Sequence, residues 1–185
     1  MAFLDHSPVE QDETSDIVLR LDRYGDIFSD FDVRPYSKRA LSVDFLEEVK
    51  RAARDKNDGE TELILLMPEK QRNEHEELVI KERLAEHFKK HHSILLNEKR
   101  RVKKVGAEMV VLGVLCLLAA TVALFKNSSQ NFLLSFLVVL LEPAAWFLLW
   151  EGMDQIVFAS RNANAELDFY HKMTSVHEHI SFKSY

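Results

Sequence analysis

The pattern of apolar and polar positions changes character at about residue 105. Upstream, apolar residues come in short runs or at helical spacing; downstream stand two long, almost wholly apolar stretches. The first, 105–125, is interrupted near its start by Glu108, and the second, 132–152, carries Glu142 and Pro143 near its centre. At ~1.5 Å rise per residue each is long enough for a ~30 Å hydrocarbon core. Two transmembrane helices are predicted, joined by an external hairpin at 126–131.

The polar N-terminal portion reads as a small domain. Residues 1–15, with Glu10, Asp12 and Glu13, have the composition of a flexible leader. Ile17-Val18-Leu19-Arg20-Leu21 reads as a short strand. A loop at 22–41 leads to a helix with Ser42 as N-cap and Val43, Leu46 and Val49 at helical spacing, ended by Lys56-Asn57-Asp58-Gly59. Leu63-Ile64-Leu65-Leu66-Met67, before Pro68, reads as a buried strand. These elements make a cytoplasmic α+β domain at 16–72. From 73 to 125 there is no proline and no glycine before Gly106, while Leu78, Ala85, Phe88, Leu95 and Val102 keep a helical stripe. One helix of roughly 50 residues, ~75 Å long, is predicted, its connecting part at 73–104 running into the first span. Beyond the second span, 153–185 contains a helix at 164–174 and an alternating strand at 176–182, with Ile180 and Phe182 on one side and His177, His179 and Ser181 on the other. This strand is expected to rejoin the N-terminal strands in a sheet of three or more. The expected fold is thus an α+β membrane protein, its cytoplasmic domain closed by the C-terminal strand.

Charge supplies an orientation. Lys89, Lys90, Lys99, Arg100, Arg101, Lys103 and Lys104 precede the first span, whereas the hairpin carries only Lys126, so both termini are expected in the cytoplasm of a prokaryotic inner membrane. An apolar stretch that follows a hundred mostly polar residues predicts an internal anchor rather than a secretory signal. The net charge of -6 argues against general nucleic-acid binding. The single cysteine, Cys116, allows no disulfide within one chain. The basic band at Lys99, Arg100, Arg101, Lys103 and Lys104 suits anionic lipid headgroups, and gathered into a ring by an oligomer it would suit a phosphate-rich ligand such as a nucleotide or oligonucleotide.

Within the spans, Gly106, Gly113 and Ala120 recur every seven residues, with Cys116 and Ala123 between them. Small-residue seams let helices approach closely in lipid. A second seam places Ser135, Glu142 and Leu149 beside Val138, Ala145 and Gly152. A carboxyl in a span is costly, so Glu142 is expected to find shelter in a homo-oligomer. There it would line or gate an ion path together with Ser135, with Glu151 and Asp154 at the cytoplasmic mouth; alternatively a protonated Glu142 would hydrogen-bond across helices and fix only oligomer geometry. Pro143 removes one helical hydrogen bond and suits a gate or a packing bend. Trp146, Phe147 and Trp150 fit interfacial packing.

Chemistry elsewhere is sparse. There is no Walker A loop, G-x-G-x-x-G, G-x-S-x-G or H-E-x-x-H, so no enzymatic activity, metal or cofactor is expected. His87 and His91, one turn apart, and His177 and His179 read as solvated surface pairs. Asp22, Asp26, Asp30 and Asp32 lack the spacing of an EF-hand. The segment Asp26-Ile27-Phe28-Ser29-Asp30-Phe31-Asp32-Val33-Arg34-Pro35, with the strand before it, the 63–68 segment and the two spans, resembles the acid-aromatic loop and architecture of a family of small prokaryotic two-span membrane proteins without an assigned activity. In that family an Asp-Trp-Trp-Pro motif follows the second span; Glu151-Gly152-Met153-Asp154 stands there in this chain. The architecture is also similar to two-span membrane effectors of antiphage defence, in which a cytoplasmic sensor governs an oligomeric pore. Those resemblances imply a homo-oligomeric channel or membrane-disrupting effector. The alternative is a non-conducting anchor or scaffold that offers Phe28, Phe31 and Asp32 to a protein partner.

Overall fold

The computed structural model describes residues 16–54, 62–126, 131–175 and 180–185, with the backbone alone at 159–164 and 175. Strand β1 (Ile17–Arg20), helix α1 (Val43–Arg54), strand β2 (Leu63–Met67), helices α2 (Glu74–Lys126), α3 (Phe132–Asp154) and α4 (Ser160–Ser175) and strand β3 (Ile180–Ser184) follow in that order. The chain divides into two compact units. One comprises the segments up to Lys89 together with Phe169–Tyr185; the other is Lys90–Asp168.

In the first unit the three strands lie in the order β1-β2-β3, and both pairs are parallel. Parallel neighbours require crossover connections. Helix α1 supplies the first and packs against β1. The second runs through α2, α3 and α4, so the apolar helices are an insertion within one crossover. The expected return of the C-terminal strand is present, beginning at Ile180; residues 176–179 lie outside the described residues, as do 1–15, 55–61 and the hairpin tip 127–130. One sheet face, carrying Ile17, Leu63, Leu65, Met67, Ile180 and Phe182, is buried.

The helical faces keep Val49 and Phe88 of the expected stripes, both fully buried, and otherwise lie about one residue away from them. In α1 the buried positions are Phe45, Val49 and Ala53, while Val43 is exposed. The carbonyl of Ser42 accepts the first helical bond from Leu46, which gives Ser42 the N-cap position. In α2 the buried stripe is Glu77, Ile80, Leu84, His87 and Phe88, and Leu78 is exposed. The stripe was hidden because two of its five members are polar. His87 is therefore not a solvated surface residue: its ring meets those of Phe88 and Tyr170.

In the second unit α3 runs unbroken through Pro143. Its cap is Asn131, whose side chain accepts a hydrogen bond from the Leu133 amide at 3.0 Å. Below Asp154 the helix widens into a π-helical turn, Gln155–Ala159, and continues directly as α4 from residue 160, earlier than the predicted 164. Single π turns mark an inserted residue in a helix, often beside a functional position.

Candidate functional site

Close packing of α2 on α3 sets the geometry of the second unit. A Cβ placed on Gly106 would lie 2.8 Å from the Gly152 carbonyl oxygen, and one on Gly152 would lie 2.7 Å from that of Gly106. At Gly113 the neighbours would be Leu149 Cγ at 2.9 Å and the Ala145 oxygen at 3.1 Å. Ala120, Val138 and Ala145 are buried along the same seam. The small residues of the two helices therefore face each other within one chain. Cys116 is half-buried and Pro143 exposed.

Glu142 and Ser135 do not lie in that seam; both are exposed. At ~100° per residue Glu142 stands ~60° around α3 from Ala145, and Ser135 and Trp146 lie further round the same flank. The expectation that Glu142 shares the small-residue face fails for this reason. The large apolar residues one turn away on its exposed side, Val139 and Trp146, are themselves exposed. Helices α2 and α3 are both long and apolar enough to cross a membrane, and 11% of the most apolar 18-residue window of each is buried. A core helix of a globular domain would be mostly covered; these helices show most of their apolar surface to the outside.

At the lower end of the hairpin, Gln155 Nε2 donates to Glu151 Oε1 at 3.3 Å and lies 3.7 Å from Met109 Sδ. Asp154 is exposed. In the basic band Arg100, Arg101, Lys103 and Lys104 are exposed and Lys99 is half-buried. Lys104 Nζ sits 3.8 Å from Glu108 Oε1 one turn away, so Glu108 enters the first apolar stretch as half of an ion pair.

The acid-aromatic loop is ordered by its acids. The Asp26 carboxylate accepts hydrogen bonds from the amides of Asp22 and Arg23. Asp32 accepts from the Arg34 amide, the Arg34 guanidinium and the Ala40 amide, and these bonds hold its carboxyl well below the usual carboxylate range. Phe28 is 2% exposed and stacks on Tyr36 with ring centroids 5.0 Å apart, which removes it from any recognition surface. Phe31 is 99% exposed and Val33 96%. The loop thus holds one aromatic in the core and presents a second at its tip.

One cluster gave no sequence signal. The Tyr24 hydroxyl donates to Glu77 Oε1 at 3.0 Å and accepts from the Asn73 amide at 2.8 Å. The Arg72 guanidinium grips both Glu77 oxygens at 2.9 Å and also reaches Ser184 Oγ. The hydrogen bonds from Arg72 lower the Glu77 pKa, whereas burial raises that of Tyr24. The group joins a loop, the start of α2 and the end of β3. Its members are saturated by one another, so it reads as a structural clasp. Among the described residues no group of three or more His, Cys, Asp or Glu is placed to hold a metal ion.

Comparison with protein-family models, with curated proteins and with solved structures finds no match. The functional reading rests on the chain's own residues.

Proposed function

We propose that this chain is a two-span protein of a prokaryotic inner membrane, with both termini cytoplasmic, that assembles into a homo-oligomeric channel or membrane-disrupting effector governed by its sheet-bearing unit. The observation that carries the reading is the exposed carboxyl of Glu142 on an outward apolar surface of α3. Facing lipid alone, such a group is costly; facing the same flank of neighbouring copies around an axis, it is sheltered and available to ions. Because the glycine seam is used within the chain, the flank with Ser135, Glu142 and Trp146 is the surface left for contact between copies. Glu151 and Asp154 then stand at the cytoplasmic mouth, and the band from Lys99 to Lys104 meets anionic headgroups or a nucleotide or oligonucleotide signal of the kind used in antiphage defence. No catalytic step is assigned.

The test is ion flux through liposomes that hold the purified protein, wild type beside Glu142→Gln. Flux in the wild type that changes with the substitution supports the channel. Silence of both, with and without added nucleotides, rejects it and leaves the anchor or scaffold.

A further inference from the structure

The lower end of the hairpin formed by α2 and α3 has two chemically different flanks. Gly106 against Gly152 fixes the depth at which the helices meet. The 3.7 Å approach of Gln155 Nε2 to Met109 Sδ marks one flank, and Glu151 stands on it with Gln155. On the opposite side, at ~100° per residue, Lys103 lies ~60° and Arg100 ~120° around α2 from Gly106, with Ala107 between them. Met153 and Val157 lie ~100–140° around the other helix from Gly152, in the sense that for antiparallel helices gives the same flank. All five are exposed, Met153 by 58% and Val157 by 42%. Depth matters as much as side. At ~1.5 Å per residue Val157 stands ~7 Å below the Gly106–Gly152 contact, between Lys103 at ~4.5 Å and Arg100 at ~9 Å. The helix that continues α3 thus stays apolar at a depth where α2 is already cationic. The acids at this depth fall elsewhere: Glu98 and Glu151 on the Gln155 flank, Glu108 and Asp154 on the sides of the helices turned away from one another.

We propose that this flank seats an anionic phospholipid, its phosphate held by Lys103 and Arg100 and its glycerol and upper acyl carbons lying on Ala107, Met153 and Val157. The inference deepens the membrane reading above and rests on it, and it commits these two cations to a lipid rather than to a soluble nucleotide. The reason is continuity. Trp146, Leu149, Met153 and Val157, exposed or half-buried, follow one another at three- and four-residue spacing, so an apolar strip runs from the span down to the two cations. A ligand that is apolar along its length and anionic at its end matches that strip. A nucleotide, charged and soluble, leaves Met153 and Val157 open to water. The site lies at the foot of the stretch proposed for contact between copies. Each cation near the surface contributes about five-fold, so the pair gives a preference of at least about ten-fold for an anionic over a zwitterionic head.

The experiment titrates the full chain, purified in dodecyl maltoside, with dioleoylphosphatidylglycerol or dioleoylphosphatidylcholine and counts the retained lipids by native mass spectrometry. The wild type should hold phosphatidylglycerol at least about ten-fold more tightly. Arg100→Gln with Lys103→Gln should abolish that preference, and Arg100→Lys with Lys103→Arg, which keeps the charge, should retain it. Arg101→Gln with Lys104→Gln removes the same charge at the same depth from other sides of α2 and should leave most of the preference in place. Absence of a preference in the wild type overturns the proposal, as does an equal loss from the two glutamine pairs, which would mean a diffuse field rather than a site. Binding of ATP or of a short oligonucleotide that Arg100→Gln with Lys103→Gln removes, with the two lipids held equally, would give the cations to a soluble ligand instead. Release of the wild-type chain from cells without detergent would remove the membrane reading itself, whereas a detergent-dependent chain indifferent to headgroup removes the lipid site alone.

Discussion

Adding one methyl group at Gly152 should cost more than adding one at Gly113, although both are small seam positions on the same hairpin. At Gly152 the new Cβ would stand 2.7 Å from the Gly106 oxygen and 3.0 Å from the Val110 amide nitrogen, both backbone atoms. At Gly113 the closest atom, at 2.9 Å, is Leu149 Cγ, part of a side chain that can change rotamer, and the backbone contact, the Ala145 oxygen at 3.1 Å, is looser. Relief at Gly152 requires the helices to part by ~0.7 Å, and a gap of that size forfeits a quarter to a half of the dispersion well along the contact. Overpacking of this kind costs ~1–3 kcal/mol, and the upper part of the range is expected for Gly152→Ala, the lower for Gly113→Ala. Gly106→Ala should behave as Gly152→Ala does. The double substitution should cost clearly less than the sum, because helices parted by one methyl have room for the other. The assay is reversible denaturation in mixed micelles followed by tryptophan fluorescence, for which the two tryptophans, Trp146 and Trp150, both lie on α3. Additive costs, or a Gly113→Ala cost equal to that of Gly152→Ala, would refute the backbone contact at Gly106 and Gly152.

Glu77, with its pKa lowered chiefly by Arg72, contributes stability that is present above its unfolded pKa and lost as pH falls through its folded one. Denaturation midpoints of the whole chain should therefore fall in acid, and Glu77→Gln should flatten that part of the profile. Arg72→Leu leaves a buried carboxylate unpaired and should cost ~3 kcal/mol near neutral pH, the low end for a broken buried pair because Arg72 is partly exposed. Asp32 stays ionised far into acid, so loop order read by limited proteolysis near Phe31 should be unchanged from pH 8 to pH 4, whereas Asp32→Ala should make the loop cleavable across that range. Reporter fusions at the C-terminus should read cytoplasmic, and neutralising Lys99, Arg100, Arg101, Lys103 and Lys104 together should scramble that orientation. A periplasmic C-terminus in the wild type would overturn the topology.

Long-period features were legible in the sequence because they depend on many residues at once. The uninterrupted helix from 74 to 126, the second apolar helix and the three strands are all encoded in runs where errors at single positions cancel. Faces were harder. In α2 the buried stripe includes Glu77 and His87, and a polarity pattern discards both, which pushed the expected stripe onto Leu78. Glu142 was recognisable as exceptional, but its side of α3 depends on whether the seam glycines serve a neighbour in the same chain or in another. Spacing is identical in the two cases. Phe28 and Phe31 are three residues apart in one acidic loop, and only the stacking partner Tyr36 and the antiparallel bridge between Phe28 and Leu41 separate core from tip. The clasp of Tyr24, Arg72 and Glu77 joins a short 3-10 turn to a helix start, a pairing that periodicity cannot encode.

The sheet's connectivity also constrains how the protein forms. Strand β2 is central, and its partner β3 pairs Leu63 with Ile180 and Leu65 with Phe182. Everything between those residues, both apolar helices included, must be made before the third strand is available. A β1-α1-β2 unit emerging alone would leave the second edge of β2 open, and an open edge of Leu63–Met67 is an invitation to pair with another chain. If α2 and α3 insert into a bilayer, as proposed above, the long closure becomes a short one, because a hairpin fixed in the membrane returns α4 to the side from which α2 left. Under that proposal completion of the sheet depends on correct insertion. A chain whose hairpin is disrupted, as by charged residues at Leu115 and Leu137, should lose the Leu63–Ile180 pairing along with the span. Cysteines placed at Leu63 and Ile180 of one chain are buried in the completed sheet and report on it: both should become open to a bulky thiol reagent together in the insertion-defective chain. Unaltered labelling there would mean that the strands find each other without the membrane.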